Sequence, residues 1–358
     1  LLMVYSATRY TLKDGAHFSR EFIIMLLAVF LGIIAALFLS YFDYQVYTKF
    51  WPVIAVFCVI IMLVLFKWGT GPSSRPDART WLSIGPINFQ PSELVKIGFI
   101  ITFGVHLDKV KEKINNIFSI LQLGAHAAVP IVLVAATGDM GSALVFMVID
   151  IVMMFVAGVH WGYFLGGIAL VGAATPLIWT YVLKQLQKDR FLALIYPDLY
   201  PDIIYQQQRG LNAIGAGGIT GQGLFKGAYT QAGAVPESQN DMIFSVVGEE
   251  FGFIGCITAL LLIVLITVRI IYVGKKSSEQ STNLICTGMA AMIIGQMIIN
   301  VGMCLMLLPV IGITLPFFSA GGSSNLCVYL GIGIVMSIYR HNCDTGAVNI
   351  RVYDSLKK

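Results

Sequence analysis

Long apolar runs separated by shorter polar stretches dominate this 358-residue sequence. A helix needs about 17 to 25 apolar residues to cross a bilayer. Residues 22–42 and 161–183 reach this length without one charged side chain. Four further segments are nearly as apolar: 50–66, 251–268, 284–308 and 325–339. The pattern predicts an all-α polytopic membrane protein.

Three weaker segments are each interrupted by a polar side chain and are also assigned as helices: 94–107 by Lys96, 117–137 by His126 and 142–159 by Asp150. The apolar residues 1–4 are interpreted as the end of a first helix. These assignments predict about ten transmembrane helices in a single domain, 1–358. A long extracellular loop, 184–242, is predicted between helices 7 and 8.

The composition excludes a soluble domain. Hydrophobic residues make up 57% of the chain and charged residues 12%, whereas soluble domains average about 25% charged residues. The net charge of +4 is small and spread over the loops, so it does not favour a nucleic-acid partner. The six cysteines show no metal-binding spacing and are interpreted as small buried side chains.

Lysine and arginine accumulate in alternate loops, and cytoplasmic loops are the ones enriched in these residues. The enriched loops hold these residues: Lys49, Lys109, Lys111, Lys113, Arg269, Lys275 and Lys276. They are therefore expected in the cytoplasm together with the C-terminus. The long loop 184–242 is then expected to face outward.

Four carboxylates lie where that long loop enters an apolar segment: Glu237, Asp241, Glu249 and Glu250. Charge beside hydrocarbon is costly, so acids at such a boundary favour a functional site. For Asp241, a helix N-cap is the simpler alternative. A carboxylate half-buried in low dielectric is expected to have a raised pKa, which suits a general base near neutral pH.

Two other polar connections offer candidate chemistry. Glu93 and Lys96 are spaced to share one helix face, where the lysine is positioned to reach a phosphate near the headgroups. The alternative is structural, with Ser92 capping the helix and Glu93 favoured by its dipole. Asp139, between two glycines, fits either a turn or a site. For Asp150, within an apolar segment, a local hydrogen bond or a lumen-facing position is favoured over a functional role.

The connection 308–324 contains two prolines and two adjacent glycines in an apolar context. It predicts a re-entrant segment between helices 9 and 10. Irregular backbone at membrane depth is tolerated where it is buried in protein or lines a cavity. A pocket that opens outward is therefore expected at this end of the helices.

A set of short motifs lies in order along nearly the whole chain: Trp81, 90–93 with Lys96, Gly138-Asp139-x-Gly141, Tyr205-Gln206, Gly215-x-Gly217-Gly218, Pro236-Glu237, Asp241-x-Ile243-Phe244, Gly248-Glu249-Glu250-x-Gly252, Leu315-Pro316 and Gly321-Gly322-Ser323-Ser324. In their order, these motifs resemble the SEDS (shape, elongation, division and sporulation) family of peptidoglycan glycosyltransferases. The run 300–303 and the run 318–322 are more similar to the rod-shape branch, RodA, than to the division branch, FtsW.

The resemblance implies polymerisation of lipid II into glycan strands at the outer face of the bacterial cytoplasmic membrane. It implies Asp241 as the catalytic base and a class B penicillin-binding protein as partner. A divalent cation, Mg or Mn, is an open cofactor expectation, because pyrophosphate leaves during the reaction. The candidate substrate-binding residues are Arg79, Trp81, Gln90, Glu93, Lys96, Asp139, Arg190 and Glu237.

Other functions remain open at this point. A lipid-linked sugar flippase would also need an outward cavity and broken helices. A scaffold for division proteins would leave the loop carboxylates unexplained. A division or sporulation polymerase would share the chemistry and differ in its cellular role.

Overall fold

The computed structural model describes residues 1–12, 17–71, 78–85 and 87–355. These residues are predominantly helical, with one short hairpin. The helices, in chain order, are α1 (Leu2–Thr8), α2 (Arg20–Tyr41), α3 (Tyr44–Lys49), α4 (Trp51–Trp68), α5 (Pro91–Val110), α6 (Ile117–Ala136), α7 (Met140–Ala157), α8 (Trp161–Leu177), α9 (Gln185–Ile195), α10 (Pro201–Gly217), α11 (Ala228–Gln231), α12 (Ile243–Lys276), α13 (Gln280–Cys304) and α14 (Gly322–Ser355).

Short irregular helices and the hairpin complete the elements. The hairpin pairs β1 (Leu82–Ile84) with β2 (Ile87–Phe89) antiparallel. Turns of 3-10 helix occupy Arg9–Thr11, Lys111–Lys113 and Pro197–Leu199, and a π-helical turn, Ile178–Val182, extends α8.

Within the described residues, eight helices are long and apolar enough to cross a membrane: α2, α4, α6, α7, α8 with its extension, α12, α13 and Gly322–His341 of α14. This confirms an all-α, multi-pass membrane protein. Two further predicted helices correspond to α1 and α5. Since α5 carries Glu93, Lys96, Asp108 and Lys109, composition alone does not mark it as a span.

The chain divides into two compact units. Unit 1 comprises Leu1–Leu27, His160–Val264 and Gly295–Gly321. Unit 2 comprises Ala28–Val159, Leu265–Ile294 and Gly322–Lys358. The single domain expected from the sequence stays a prediction.

Unit 2 is organised around α5, which packs against α4, α6, α7 and α14. Fifteen of its twenty residues are buried, polar ones included. A helix surrounded on all sides has no single apolar stripe, which explains its weak signal in the sequence. Gly288 of α13 lets that helix approach closely, because an added Cβ would lie 2.7 Å from Ile100 Cγ2.

In unit 1, the segment predicted as a long loop is largely helical. It contains α9, α10 and α11. The buried residues of α10 recur at a spacing of three or four: Ile204, Gln207, Gly210, Ala213 and Gly217. This is the spacing of an amphipathic helix face. The outward orientation of the segment stays a prediction.

The helix α12 is interrupted at Gly252, whose φ of 65° and ψ of −162° are not helical. The carbonyls of Glu249 and Glu250 accept hydrogen bonds from Gln222 N (2.9 Å) and Gly223 N (3.0 Å). An added Cβ at Gly221 would lie 2.2 Å from Glu250 O. The glycine-rich run after α10 therefore packs on the break and satisfies its backbone groups.

Candidate functional site

Asp139 is the centre of a polar cluster in unit 2. Its Oδ2 accepts from Gln90 Nε2 (2.8 Å) and from Ser92 Oγ (3.1 Å), and its Oδ1 accepts from Ser142 N (3.0 Å). The last bond caps α7, so Asp139 serves as a helix cap. The expected capping by Ser92 is wrong, since α5 begins at Pro91 and Ser92 points to Asp139 instead. We call Gln90, Ser92, Asp139 and Ser142 the Asp139 cluster.

Glu93 and Lys96 form a buried ion pair on α5. Lys96 Nζ lies 2.8 Å from Glu93 Oε1, and the two residues are 0% and 4% exposed. The predicted common helix face is therefore present. Removing either partner would leave the other buried alone, which is very costly.

Arg79 and Trp81 lie beside the hairpin of unit 2. Arg79 is exposed, and its backbone N–H donates to Thr137 O at 2.8 Å. Trp81 is partly buried, and its backbone N–H donates to Thr70 O at 2.9 Å. The local backbone is thus fixed at both positions, and their role in substrate binding stays a prediction.

Asp241 lies in unit 1, two residues before α12. It is 8% exposed, and its Oδ1 accepts from Gln206 Nε2 at 3.3 Å. Its main-chain carbonyl accepts from Asn300 Nδ2 at 2.7 Å and from Cys304 Sγ at 3.6 Å. We call Gln206, Asp241, Asn300 and Cys304 the Asp241 cluster.

Glu237 opens the turn that leads to Asp241. Its φ of 54° is unusual for a residue with a Cβ. Its carbonyl accepts from Asn240 N (3.0 Å) and Met242 N (3.2 Å), and its carboxylate accepts from Asn240 Nδ2 (2.6 Å). Both backbone and side chain of Glu237 therefore shape this turn.

The irregular segment 305–321 follows α13 in unit 1, where a re-entrant connection was expected. Side chains of the same unit satisfy its carbonyls. Gln207 Nε2 donates to Leu308 O (2.8 Å), Arg190 Nη1 to Val310 O (2.7 Å) and Asn300 Nδ2 to Ile313 O (2.7 Å). Such satisfaction is what irregular backbone needs in an apolar environment.

The last two acids of the carboxylate run are anchors inside unit 1. Glu249, 0% exposed, accepts from Tyr229 N (2.6 Å), Thr230 N (2.9 Å) and Thr230 Oγ1 (2.6 Å). Glu250 accepts from Ser6 Oγ, which ties α1 to α12. A structural role in the fold therefore accounts for the presence of two of the four carboxylates, Glu249 and Glu250.

The sequence matches a known protein family along most of its length. The family model FtsW/RodA/SpoVE, described as a cell cycle protein, matches residues 1–344. The chain belongs to this family.

Two relatives align with most of this chain. The chain is 28% identical over 314 residues to the peptidoglycan glycosyltransferase MrdB of Escherichia coli K12, covering 87% of this chain and 83% of that protein. It is 31% identical over 357 residues to the stage V sporulation protein E of Bacillus subtilis, covering 96% and 93%. The expected class of enzyme, a glycosyltransferase, is confirmed by the family and its named members.

A solved structure of the family extends the likeness to three dimensions. Its subject is "Structural coordination of polymerization and crosslinking by a peptidoglycan synthase complex". The TM-score is 0.79 at 25% identity, covering 95% of this chain and 96% of that one.

Two buried residues outside the predicted site gain a role from the structure. Asn300 appeared in the sequence only as part of a family motif, and Gln207 carried no expectation. Both are buried amides whose partners are main-chain carbonyls far along the chain. A polar residue at a buried position of an apolar helix was the available signal.

Asp150 and the metal expectation complete the list. Asp150 Oδ1 is buried without a hydrogen-bond partner in the described part of the chain. The local hydrogen bond or lumen-facing position expected for Asp150 stays a prediction. Among the described residues, no three His, Cys, Asp or Glu side chains are grouped to hold a metal ion. The divalent cation therefore stays a prediction.

Proposed function

We propose that this protein polymerises lipid II into glycan strands, with Asp241 as the general base. The observation that carries the proposal is the Asp241 cluster, where a nearly buried carboxylate precedes α12 and its main chain is fixed by Asn300. The name of MrdB, a peptidoglycan glycosyltransferase, supports the substrate class. The family resemblance supports the assignment of Asp241.

The proposed step is a displacement at the anomeric carbon of a lipid-linked sugar. The acceptor hydroxyl gives its proton to the Asp241 carboxylate while its oxygen bonds to that carbon. The bond from the carbon to the pyrophosphate breaks, and the electron pair leaves with the pyrophosphate. Because pyrophosphate is a good leaving group, one base suffices where glycosidases use two carboxylates.

Positive charge stabilises the departing pyrophosphate. We assign this role to Arg190, whose guanidinium is held at Val310 O in the same unit as Asp241. A divalent cation is the alternative source of charge. The buried pairing of Lys96 with Glu93 favours a structural role for that lysine. Gln90 and Asp139 bind each other, which likewise favours shaping of unit 2.

The cellular setting follows from the same proposal. Lipid II is used at the outer face of the cytoplasmic membrane, so the Asp241 cluster is expected to face outward. A class B penicillin-binding protein is the proposed partner, in line with the synthase complex that the chain resembles. The motif similarity of 300–303 and 318–322 favours cell elongation over division or sporulation.

An assay with purified protein and fluorescent lipid II tests the function. Glycan ladders on a gel are expected. Movement of lipid II across vesicles without ladders would instead indicate a flippase. Neither product nor movement, from folded protein, would favour a scaffold.

Replacing the base tests the mechanism in the same assay. Asp241→Ala is expected to abolish polymerisation while the protein still inserts and elutes as a single species. Normal ladder yield from that variant would refute the assignment of Asp241.

A further inference from the structure

Asn300 joins two segments of unit 1 that are far apart in sequence. One amide nitrogen has two hydrogens and donates both. Nδ2 lies 2.7 Å from Asp241 O and 2.7 Å from Ile313 O. A single side chain on α13 thus holds both Asp241 and the irregular segment 305–321.

The surroundings of Asn300 make both bonds strong. Asn300 is 0% exposed, so water does not compete for the two carbonyls. Cys304, one helical turn further on the same face, approaches Asp241 O at 3.6 Å. The carbonyl of Asp241 therefore meets two side chains of α13.

The turn around Asp241 has a second attachment that does not involve Asn300. Ala320 N donates to Gln239 O at 2.8 Å. Both attached segments contain a strained residue with a Cβ, Glu237 (φ 54°) and Phe317 (φ 68°). Strained backbone persists only where neighbouring contacts determine it, and such strain concentrates at functional sites.

We infer that Asn300 is a positioning residue, which fixes the backbone of Asp241 so that its carboxylate meets the acceptor hydroxyl. This inference rests on the proposed function of Asp241 and adds a residue that does not touch the substrate. Misplacement of a reacting group by about 1 Å costs about a hundredfold in rate. Loss of the amide should therefore act on kcat and leave KM for lipid II unchanged.

Gln207 supplies a matched control. It is also a buried amide, 2% exposed, and its Nε2 donates to Met303 O and Leu308 O, both at 2.8 Å. These two hydrogen bonds hold the end of α13 and the segment after it, and neither goes to Asp241. If loss of packing were the cause, replacing either amide would lower kcat to the same extent. If Asn300 positions Asp241, only its replacement lowers kcat strongly.

The test compares Asn300→Leu with Gln207→Leu in the full-length protein. Lipid II polymerisation should show kcat about a hundredfold lower for Asn300→Leu and within about threefold of the parent for Gln207→Leu, with KM unchanged in both. Equal losses of kcat and of melting temperature in the two variants would overturn the inference. So would parental kcat in Asn300→Leu.

Hydrogen exchange gives a readout that does not depend on activity. In Asn300→Leu, amides of 239–245 should exchange at least about tenfold faster, while Gln207→Leu should loosen 303–310 instead. Unchanged protection of 239–245 would refute the positioning role even if activity fell. If the parent protein makes no polymer, the proposed function fails and exchange still decides the role of Asn300.

A milder substitution provides a test in case Asn300→Leu does not fold. Asn300→Ser retains one hydroxyl donor and should give changes of the same sign and smaller size in both readouts. Parental kcat together with parental exchange in Asn300→Ser, when Asn300→Leu does not fold, would count against the inference.

Discussion

Asp139 in unit 2 and Asp241 in unit 1 are equally buried, each 8% exposed, yet they are held in different ways. The carboxylate of Asp139 accepts three hydrogen bonds of 2.8 to 3.1 Å. At Asp241 the main-chain carbonyl accepts a bond of 2.7 Å from Asn300, and the carboxylate accepts a bond of 3.3 Å from Gln206. Burial alone therefore does not distinguish a structural acid from a proposed base.

The two aspartates differ in the group that accepts short hydrogen bonds, which is the side chain at Asp139 and the main chain at Asp241. A carboxylate that accepts three short hydrogen bonds, such as Asp139, is held in one place by its side chain. Asp241 is held by its main chain, through the bond from Asn300 Nδ2 to its carbonyl. We therefore expect substitutions in unit 2 to lower stability first, and substitution of Asp241 to lower the rate first.

The largest effect on stability is expected from Lys96→Met. It leaves the Glu93 carboxylate buried without its partner and should lower the free energy of unfolding by about 3–5 kcal/mol. Thermal unfolding in detergent measures this change. The double variant Glu93→Gln with Lys96→Met should recover most of the loss, and activity should follow stability. A stable but inactive double variant would instead assign the Glu93–Lys96 pair to the substrate.

A smaller loss is expected from Asp139→Ala. It removes the cap of α7 and takes the Asp139 bond away from Gln90, which is partly buried, and from Ser92, which is buried, for a cost of about 2–3 kcal/mol. Asn116→Ala is the matched control, because Asn116 caps α6 through one exposed bond to Phe118 N, 3.0 Å long. That variant should lose about 1 kcal/mol. Equal losses in the two variants would contradict the importance of the Asp139 cluster.

The smallest effect is expected at Glu237. Asparagine adopts positive φ more readily than glutamate, so Glu237→Asn should change the free energy of unfolding by no more than about 1 kcal/mol. Glu237→Val, whose branched side chain disfavours this backbone, should be clearly less stable. Chemical unfolding of both variants provides the measurement. Equal stability would show that the backbone strain at this position has no energetic weight.

The spans were the part of the fold that the sequence could predict. Continuous apolar runs such as 22–42 coincide with helices because a span needs little beyond length and hydropathy. The helices of 184–242 were missed because polar composition was interpreted as loop. The spacing of Ile204, Gln207 and Gly210 contained the signal for α10.

The site was predictable in its residue types and less so in its connections. The acid at the start of α12 stood out because charge at an apolar boundary is costly. The hydrogen bonds that Glu249 accepts from Tyr229 and Thr230 could not be inferred, since they join residues 20 and 19 positions apart. Asn300 reaches Asp241 across 59 positions, and no local pattern encodes such a contact.

The most direct test of the central claim is a single-turnover measurement with Asp241→Asn, which preserves shape and removes the basic carboxylate. We expect a rate of glycosidic bond formation about 10²- to 10⁴-fold below the parent, with lipid II affinity and melting temperature unchanged. Asp202→Asn, which alters an exposed aspartate in the first turn of α10, should keep the parental rate. A rate for Asp241→Asn within a few-fold of the parent would show that the Asp241 carboxylate is not the general base.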